Sequence, residues 1–196
     1  METGHYFDPS PTVRSEPRTV TLALPDLTVE LRTDRGVFSA DRVDPGTRLL
    51  LLEAPPPPPA GDLLDLGCGY GPVAVTLAWR APAARVWAVD VNRRALSLTR
   101  VNARALGLTN VTAVEPASVP GEQRFAAVYT NPPVRIGKAA LHGLLTEWVP
   151  RADATWMVVS KHLGADSLAR WMHETQGWRV ERVASRVSYR VLGVHP

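Results

Sequence analysis

Three short stretches of this chain carry residue types that could do chemistry. The first is YTNPPVRIGK, residues 129–138. Proline lacks an N–H, has a fixed φ and pushes the residue before it toward extended backbone. Asn131 is therefore held extended, its side-chain amide aimed by the stiff Pro132-Pro133 pair. A rigid amide after an apolar run is a preorganised hydrogen-bonding group; Asn-Pro and Pro-Pro are also ordinary turn formers. The second stretch is LLDLGCGYGPVA, residues 63–74. Gly67, Gly69 and Gly71 let the backbone turn sharply and let a ligand approach without a Cβ in the way. Asp65 stands two residues ahead of them. The spacing G-x-G-x-G, followed by Pro72, departs from the dinucleotide fingerprint G-x-G-x-x-G. The third stretch is VWAVDVN, in which Asp90 lies 19 positions past Gly71. A carboxylate at about that spacing accepts hydrogen bonds from ribose hydroxyls. Loop and acid together suggest an adenosine-type ligand.

Such groups act together only if the fold brings strand ends into one crevice. Residues 1–18 read as a polar, proline-containing arm. Val20, Leu22 and Leu24, then Leu27, Val29 and Leu31, alternate around Pro25-Asp26 and read as a β-hairpin. Asp44 can cap a short helix with Pro45 in its first turn. Five prolines, residues 55–59, form a semi-rigid spacer before the main unit. The expected organisation is an arm over 1–18, a hairpin, short helix and spacer over 19–59, and a binding unit over 60–196.

From residue 61 the pattern is strand and helix in alternation. Strands are expected at 63–66, 86–91, 111–114, 125–130 and 155–159. Helices are expected at 71–80, from Asn92 to Gly107, at 138–148 and at 166–176. The final candidates, 178–184 and 187–194, have no helix between them and read as an antiparallel pair. This predicts an α/β fold, doubly wound and mostly parallel, with an antiparallel final strand. Ligands of such sheets sit at the carboxyl ends of the strands.

Composition narrows the alternatives. The 196 residues suit one full core, and a net charge of +3 permits an anionic partner without demanding one. The single cysteine, Cys68, excludes an internal disulfide and a multi-cysteine zinc site. No metal site is expected, since the histidines show no ligand spacing. The N-terminus has no apolar h-region, and the aliphatic run 49–52 is far too short to span a membrane. A cytoplasmic protein is the expectation. The six tryptophans fall in apolar patterns and read as core.

The motifs together resemble the class I S-adenosylmethionine-dependent methyltransferases. DLGCGYG is similar to that family's first motif, AVDVNRRAL to its second, and NPPV to the N-P-P-x motif of enzymes that methylate planar nitrogen. GVFSADRVDPGTRLLL resembles the stretch before the first motif in small-subunit ribosomal RNA guanine-N2 methyltransferases. The resemblance covers about residues 34–160. It implies a seven-stranded Rossmann-like methyltransferase sheet with S-adenosyl-L-methionine as cofactor and ribosomal RNA or the small ribosomal subunit as partner. It further implies that Gly67 and Cys68 backbone hold the methionine part, Asp65 its amino group, and Asp90 the ribose, with Val91 against the adenine. The cofactor set is Asp65, Gly67, Cys68, Gly69, Gly71, Asp90, Val91 and Asn131. Glu115 or Ala117 occupies the place of the acid that meets the adenine amine in relatives.

An exocyclic base amine is a poor nucleophile because its lone pair is delocalised. Two acceptors, the Asn131 side-chain oxygen and the Pro132 carbonyl, can hold its N–H bonds and turn the lone pair, with Pro133 keeping them rigid. Relatives often carry an aromatic residue where this chain has Val134. Phe38, Tyr6 or Tyr129 is expected to supply the stacking face instead, Phe38 first. Arg135, Lys138, Lys161 and His162 are candidates for phosphate contacts. A protein glutamine amide offers the same planar nitrogen and is the alternative substrate. A silent cofactor-binding module and a dehydrogenase are weaker alternatives.

Overall fold

The computed structural model describes residues 9–186 and 188–196. Residues 1–8, which hold Tyr6 and the first part of the expected arm, and Val187 of the final strand expectation lie outside them. The hairpin is formed by β1 (Arg18–Ala23) and β2 (Thr28–Thr33), paired antiparallel with Leu22 opposite Val29. An isolated two-stranded hairpin is marginal in water, and this one is held by burial. Leu22 and Leu31 are fully enclosed and join the same apolar cluster as the central strands. Full burial of a leucine is worth about 1.5–3 kcal/mol. Helix α1 (Pro45–Glu53) follows, capped by Asp44, which accepts from Thr47 N–H at 3.0 Å.

The main sheet contains β3 (Ala60–Leu66), β4 (Ala83–Val89), β5 (Val111–Val114), β6 (Ala127–Thr130), β7 (Thr155–Ser160), β8 (Arg179–Ser185) and β9 (Tyr189–His195). Their order is β5-β4-β3-β6-β7-β9-β8. The first five strands pair in parallel, and β9 runs antiparallel between β7 and β8. Helices α2 (Pro72–Arg80), α3 (Arg93–Ala105), α4 (Lys138–Trp148) and α5 (Ala165–Glu174) make the crossovers and cover the sheet. The expected fold class is the one observed.

Register decides where the site lies. Leu66 of β3 pairs with Val89 of β4 on one side and Thr130 of β6 on the other. Gly67, Asp90 and Asn131 follow these three residues directly, so each leaves the sheet at the same level. The strand order reverses between β3 and β6, which is where open α/β sheets leave a crevice. Because β9 is antiparallel, its first residue, Tyr189, sits opposite Ser160 at that same edge.

Two tryptophan expectations divide. Trp148 is 1% exposed, whereas Trp79 on α2 is 47% exposed. The stem of α2 is buried from Pro72 to Ala78 and only its last turn reaches solvent.

Candidate active site

The glycine loop satisfies its own backbone. Gly67 and Cys68 N–H groups both donate to Val89 O, at 2.8 and 3.0 Å. Gly69 N–H donates to Asp90 Oδ2 at 2.8 Å, and Gly71 N–H to Cys68 O at 2.9 Å. The amides of Gly67 and Cys68 are therefore spent on the next strand. Gly67 and Gly69 have φ of 78° and 55°, and a Cβ on either would meet nothing within 4 Å. Their bare faces open onto a cleft of about 520 Å³. Gly71 does not line the cleft, and its Cβ would lie 2.9 Å from the Thr99 side chain. It is required for packing α2 against α3 at φ of 92°.

Two carboxyl groups flank this loop. Asp65 is 1% exposed, and its Oδ2 accepts from Ala74 N–H at 2.8 Å. It thus caps the first turn of α2, which begins at a glycine and has no side-chain cap of its own. Burial pushes the Asp65 carboxyl up to about 8, with the charge of Asp90 adding to the rise against the Ala74 N–H. Asp65 lines a small recess, large enough for one water, that shares Phe38, Asp44, Gly67, Gly69 and Asn131 with the cleft. Asp90 is half-buried and its carboxyl is also pushed upward by burial. Its Oδ1 accepts from Asn92 N–H at 2.9 Å, Val91 N–H also bonds the carboxyl, and the side chain still lines the cleft. Val91, 41% exposed, and Pro116 continue the wall. Glu115 turns outward to pair with Arg93 at 2.9 Å. Burial pushes the Cys68 thiol up, and its contacts are Gly69 O and Thr99 Oγ1, so it is packing.

Asn131 is anchored from outside its own loop. Its Nδ2 donates to Asp44 Oδ1 at 2.9 Å and to Thr47 Oγ1 at 3.0 Å. A carboxylate only accepts, so the nitrogen must face Asp44 and the amide oxygen faces away from it. Asn131 and both prolines line the cleft. The Pro132 carbonyl already accepts from Val134 N–H at 2.8 Å and keeps one lone pair.

The aromatic expectations separate. Tyr129 is 2% exposed and donates to Pro55 O at 3.0 Å, so it offers no face. Phe38 is 37% exposed and lines the cleft. Its turn is strained: Ser39 sits at φ of 54° and its hydroxyl donates to Arg42 O at 2.6 Å. Tyr189 lines the same cleft and went unread in the sequence. Its ring packs so closely on Gly46 that a Cβ there would meet it at 2.8 Å. Asp44 and Thr47 were read only as a helix start; the signal that could have found them is an acidic cap within the stretch before the glycine motif. Of the expected cations, Arg135 and Val134 beside it line the cleft, whereas Lys138 and Lys161 do not. Among the described residues no group of His, Cys, Asp and Glu could hold a metal ion, and no helix is long and apolar enough to cross a membrane.

A family model, the methyltransferase small domain, matches residues 28–193. The chain belongs to the methyltransferase small domain family. That membership makes it a methyltransferase with S-adenosylmethionine as methyl donor. It is 35% identical over 176 residues to the Bacillus subtilis uncharacterized protein YbxB, covering 87% of this chain and 88% of that one. It is 29% identical to the ribosomal RNA small subunit methyltransferase C of Shewanella amazonensis, over 87% of this chain and 50% of that one. Among solved structures, the T. thermophilus 16S rRNA N2 methyltransferase, in complex with AdoMet and guanosine, superposes with a TM-score of 0.78 at 24% identity. The match covers 94% of this chain and 52% of that one, and is a likeness of fold. The chain spans about half the length of these two ribosomal RNA enzymes. The small-domain match reaches back to Thr28, so it takes in the Phe38 turn and the Asp44 cap as well as the strands.

Proposed function

We propose that this methyltransferase modifies the exocyclic N2 amine of a guanine in ribosomal RNA, a substrate that would place it in the cytoplasm. The observation that carries the reading is the anchored Asn131 amide, whose nitrogen is taken by Asp44 and Thr47 so that its oxygen is left as an acceptor. Relatives named ribosomal RNA small subunit methyltransferase C support ribosomal RNA as the substrate, and a similar fold solved with guanosine supports the base.

The residues present fit the cofactor. The open faces over Gly67 and Gly69 leave room for its chain, and a 520 Å³ cleft is within the range of small-molecule sites. Asp65 and the recess beside it would hold the amino group. Asp90 would take ribose hydroxyls, and Val91 with Pro116 the adenine. Bound there, S-adenosylmethionine supplies an electrophilic methyl group on a sulfonium. Asn131 Oδ1 and the second lone pair of Pro132 O accept the two N–H bonds of the base amine. This draws the nitrogen lone pair out of conjugation and directs it into the cleft. The prolines and the Asp44–Asn131 tie hold the acceptors before substrate arrives, so no reorganisation is needed at the moment of transfer. Phe38 and Tyr189 offer ring faces to the base, in place of an aromatic residue at Val134. Arg135 at the cleft, with Lys138 and Lys161 on the flanking surface, would meet phosphates.

The test is methyl transfer from labelled S-adenosylmethionine to small ribosomal subunits, with nucleoside mass spectrometry of the RNA. N2-methylguanosine is the expected product. Label in protein glutamine, or in a different nucleoside, overturns the reading.

A further inference from the structure

The Asp44 carboxylate does more than a helix cap requires. One of its oxygens, Oδ1, accepts from Thr47 N–H at 3.0 Å and from Asn131 Nδ2 at 2.9 Å. That oxygen is fully used. The other, Oδ2, has no donor among the described residues: no backbone amide, hydroxyl or cation reaches it. Serine, threonine or asparagine would cap α1 about as well, and only aspartate adds a second, charged acceptor. Oδ2 is not among the buried unpartnered atoms of the described residues, so it stays open to a donor that arrives from outside. Asp44 lines both the cleft and the recess beside Asp65, next to Asn131. Tyr189, whose hydroxyl is pushed up by burial and by the Asp44 charge, stands on the same side of the cleft.

We infer that Asp44 Oδ2 accepts the ring N1–H of the target base and thereby selects guanine, a role that rests on the proposed guanine reading. The Watson–Crick edge of guanine presents two adjacent donors, N1–H and the N2 amine. Adenine and cytosine present an amine beside a ring nitrogen that carries a lone pair. With Asn131 Oδ1 on the amine, the neighbouring acceptor at Asp44 completes a pair with guanine. With adenine or cytosine it faces a lone pair, and two acceptors repel. Selection therefore comes as much from rejecting the wrong base as from binding the right one. Asp44 is thus a specificity residue for the substrate and a positioning residue for Asn131.

The experiment uses the full chain and the ribosomal RNA fragment labelled in the assay above, with either guanine or 2-aminopurine at the target. 2-Aminopurine keeps the C2 amine but has a lone pair at N1. The wild type is expected to prefer guanine by at least about tenfold in kcat/KM, the scale of one base-edge contact. Asp44→Asn keeps an oxygen for Thr47 and Asn131 and replaces the other with an amide donor, which suits the N1 lone pair of 2-aminopurine. It should lose guanine transfer, gain 2-aminopurine transfer, and so lower the ratio by at least about tenfold. S-adenosylhomocysteine affinity and melting temperature should stay close to wild type. A wild-type preference below tenfold overturns the inference even if the variant fails to fold. So does an unchanged ratio in the variant, or a loss confined to S-adenosylhomocysteine binding, which would make Asp44 a cofactor ligand. If the wild type labels no guanine, the guanine reading falls and this inference with it; if it labels guanine without discrimination, only this inference falls.

Discussion

The two halves of the cleft are built by opposite means. Around Gly67–Gly71 the loop is held by residues close in sequence or on adjoining strands: Val89 O, Asp90 Oδ2 and Cys68 O take its N–H groups. Around Asn131 the loop is held from 84 and 87 residues away, by Thr47 and Asp44. The far wall of that half comes from the strained Phe38–Ser39 turn and from Tyr189 at the start of β9. The half around the glycine loop is thus a property of the parallel sheet and its turns. The half around Asn131 is assembled from segments far apart in the chain, and depends on α1 being docked.

The comparison breaks most sharply at Asn131. Asn131→Ala is expected to lower turnover by about 10²–10³-fold, or about 2.7–4 kcal/mol, the scale of one preorganised polar group. S-adenosylhomocysteine affinity, read by calorimetry, should change only a few fold. Equal losses in both would make Asn131 a general support of the cleft. Asp90→Ala is the counterpart in the other half. It should weaken S-adenosylhomocysteine binding by about 1.5–3 kcal/mol, through the lost ribose acceptor and the freed Gly69 and Asn92 N–H groups. KM for RNA should be little changed. Tight NAD binding in its place would remove the methyl-donor assignment of this half.

Phe38→Ala and Tyr189→Ala sharpen the substrate side. Each should raise KM for RNA by the equivalent of about 1–3 kcal/mol if its ring stacks on the base. Tyr189→Phe should restore it, which a hydroxyl role would not allow. Thr47→Val removes one of the two acceptors of the Asn131 amide and should cost about 0.5–1.5 kcal/mol in kcat/KM. The last expectation concerns Asp65 in the free protein, and it is read as stability against pH. Its folded-state value of about 8 lies above the ordinary 3.8, so the fold favours the neutral acid. Stability from this group is complete below the unfolded value and is lost as pH rises toward 8. Wild type should therefore lose melting temperature relative to Asp65→Asn between pH 5 and pH 8; parallel curves would contradict the buried neutral acid.

Much of this was legible in the chain. Period-two and helical patterns, capped by Asp44, Asn92 and Gly107, named the elements in the right order, because local backbone preferences and core patterning agree along the chain. The glycine spacing and Asp90 marked one half of the cleft, whose contacts are largely made across adjoining strand ends. Asn131-Pro132-Pro133 marked a rigid amide without saying which way it pointed.

What sequence alone determined is the alternation of strand and helix, the three strand ends that carry polar groups, and the stiffness of the prolines. Each is a local property of φ, ψ and side-chain type. What only the tertiary structure decided is that the Asn131 nitrogen is spent on Asp44 and Thr47, that Gly71 lies against Thr99, and that Tyr189 reaches the cleft. Those facts depend on register and on docking between distant segments. The antiparallel turn of β9 carries its first residue to the carboxyl edge of a parallel sheet, and no local preference of residues 189–195 encodes that neighbour.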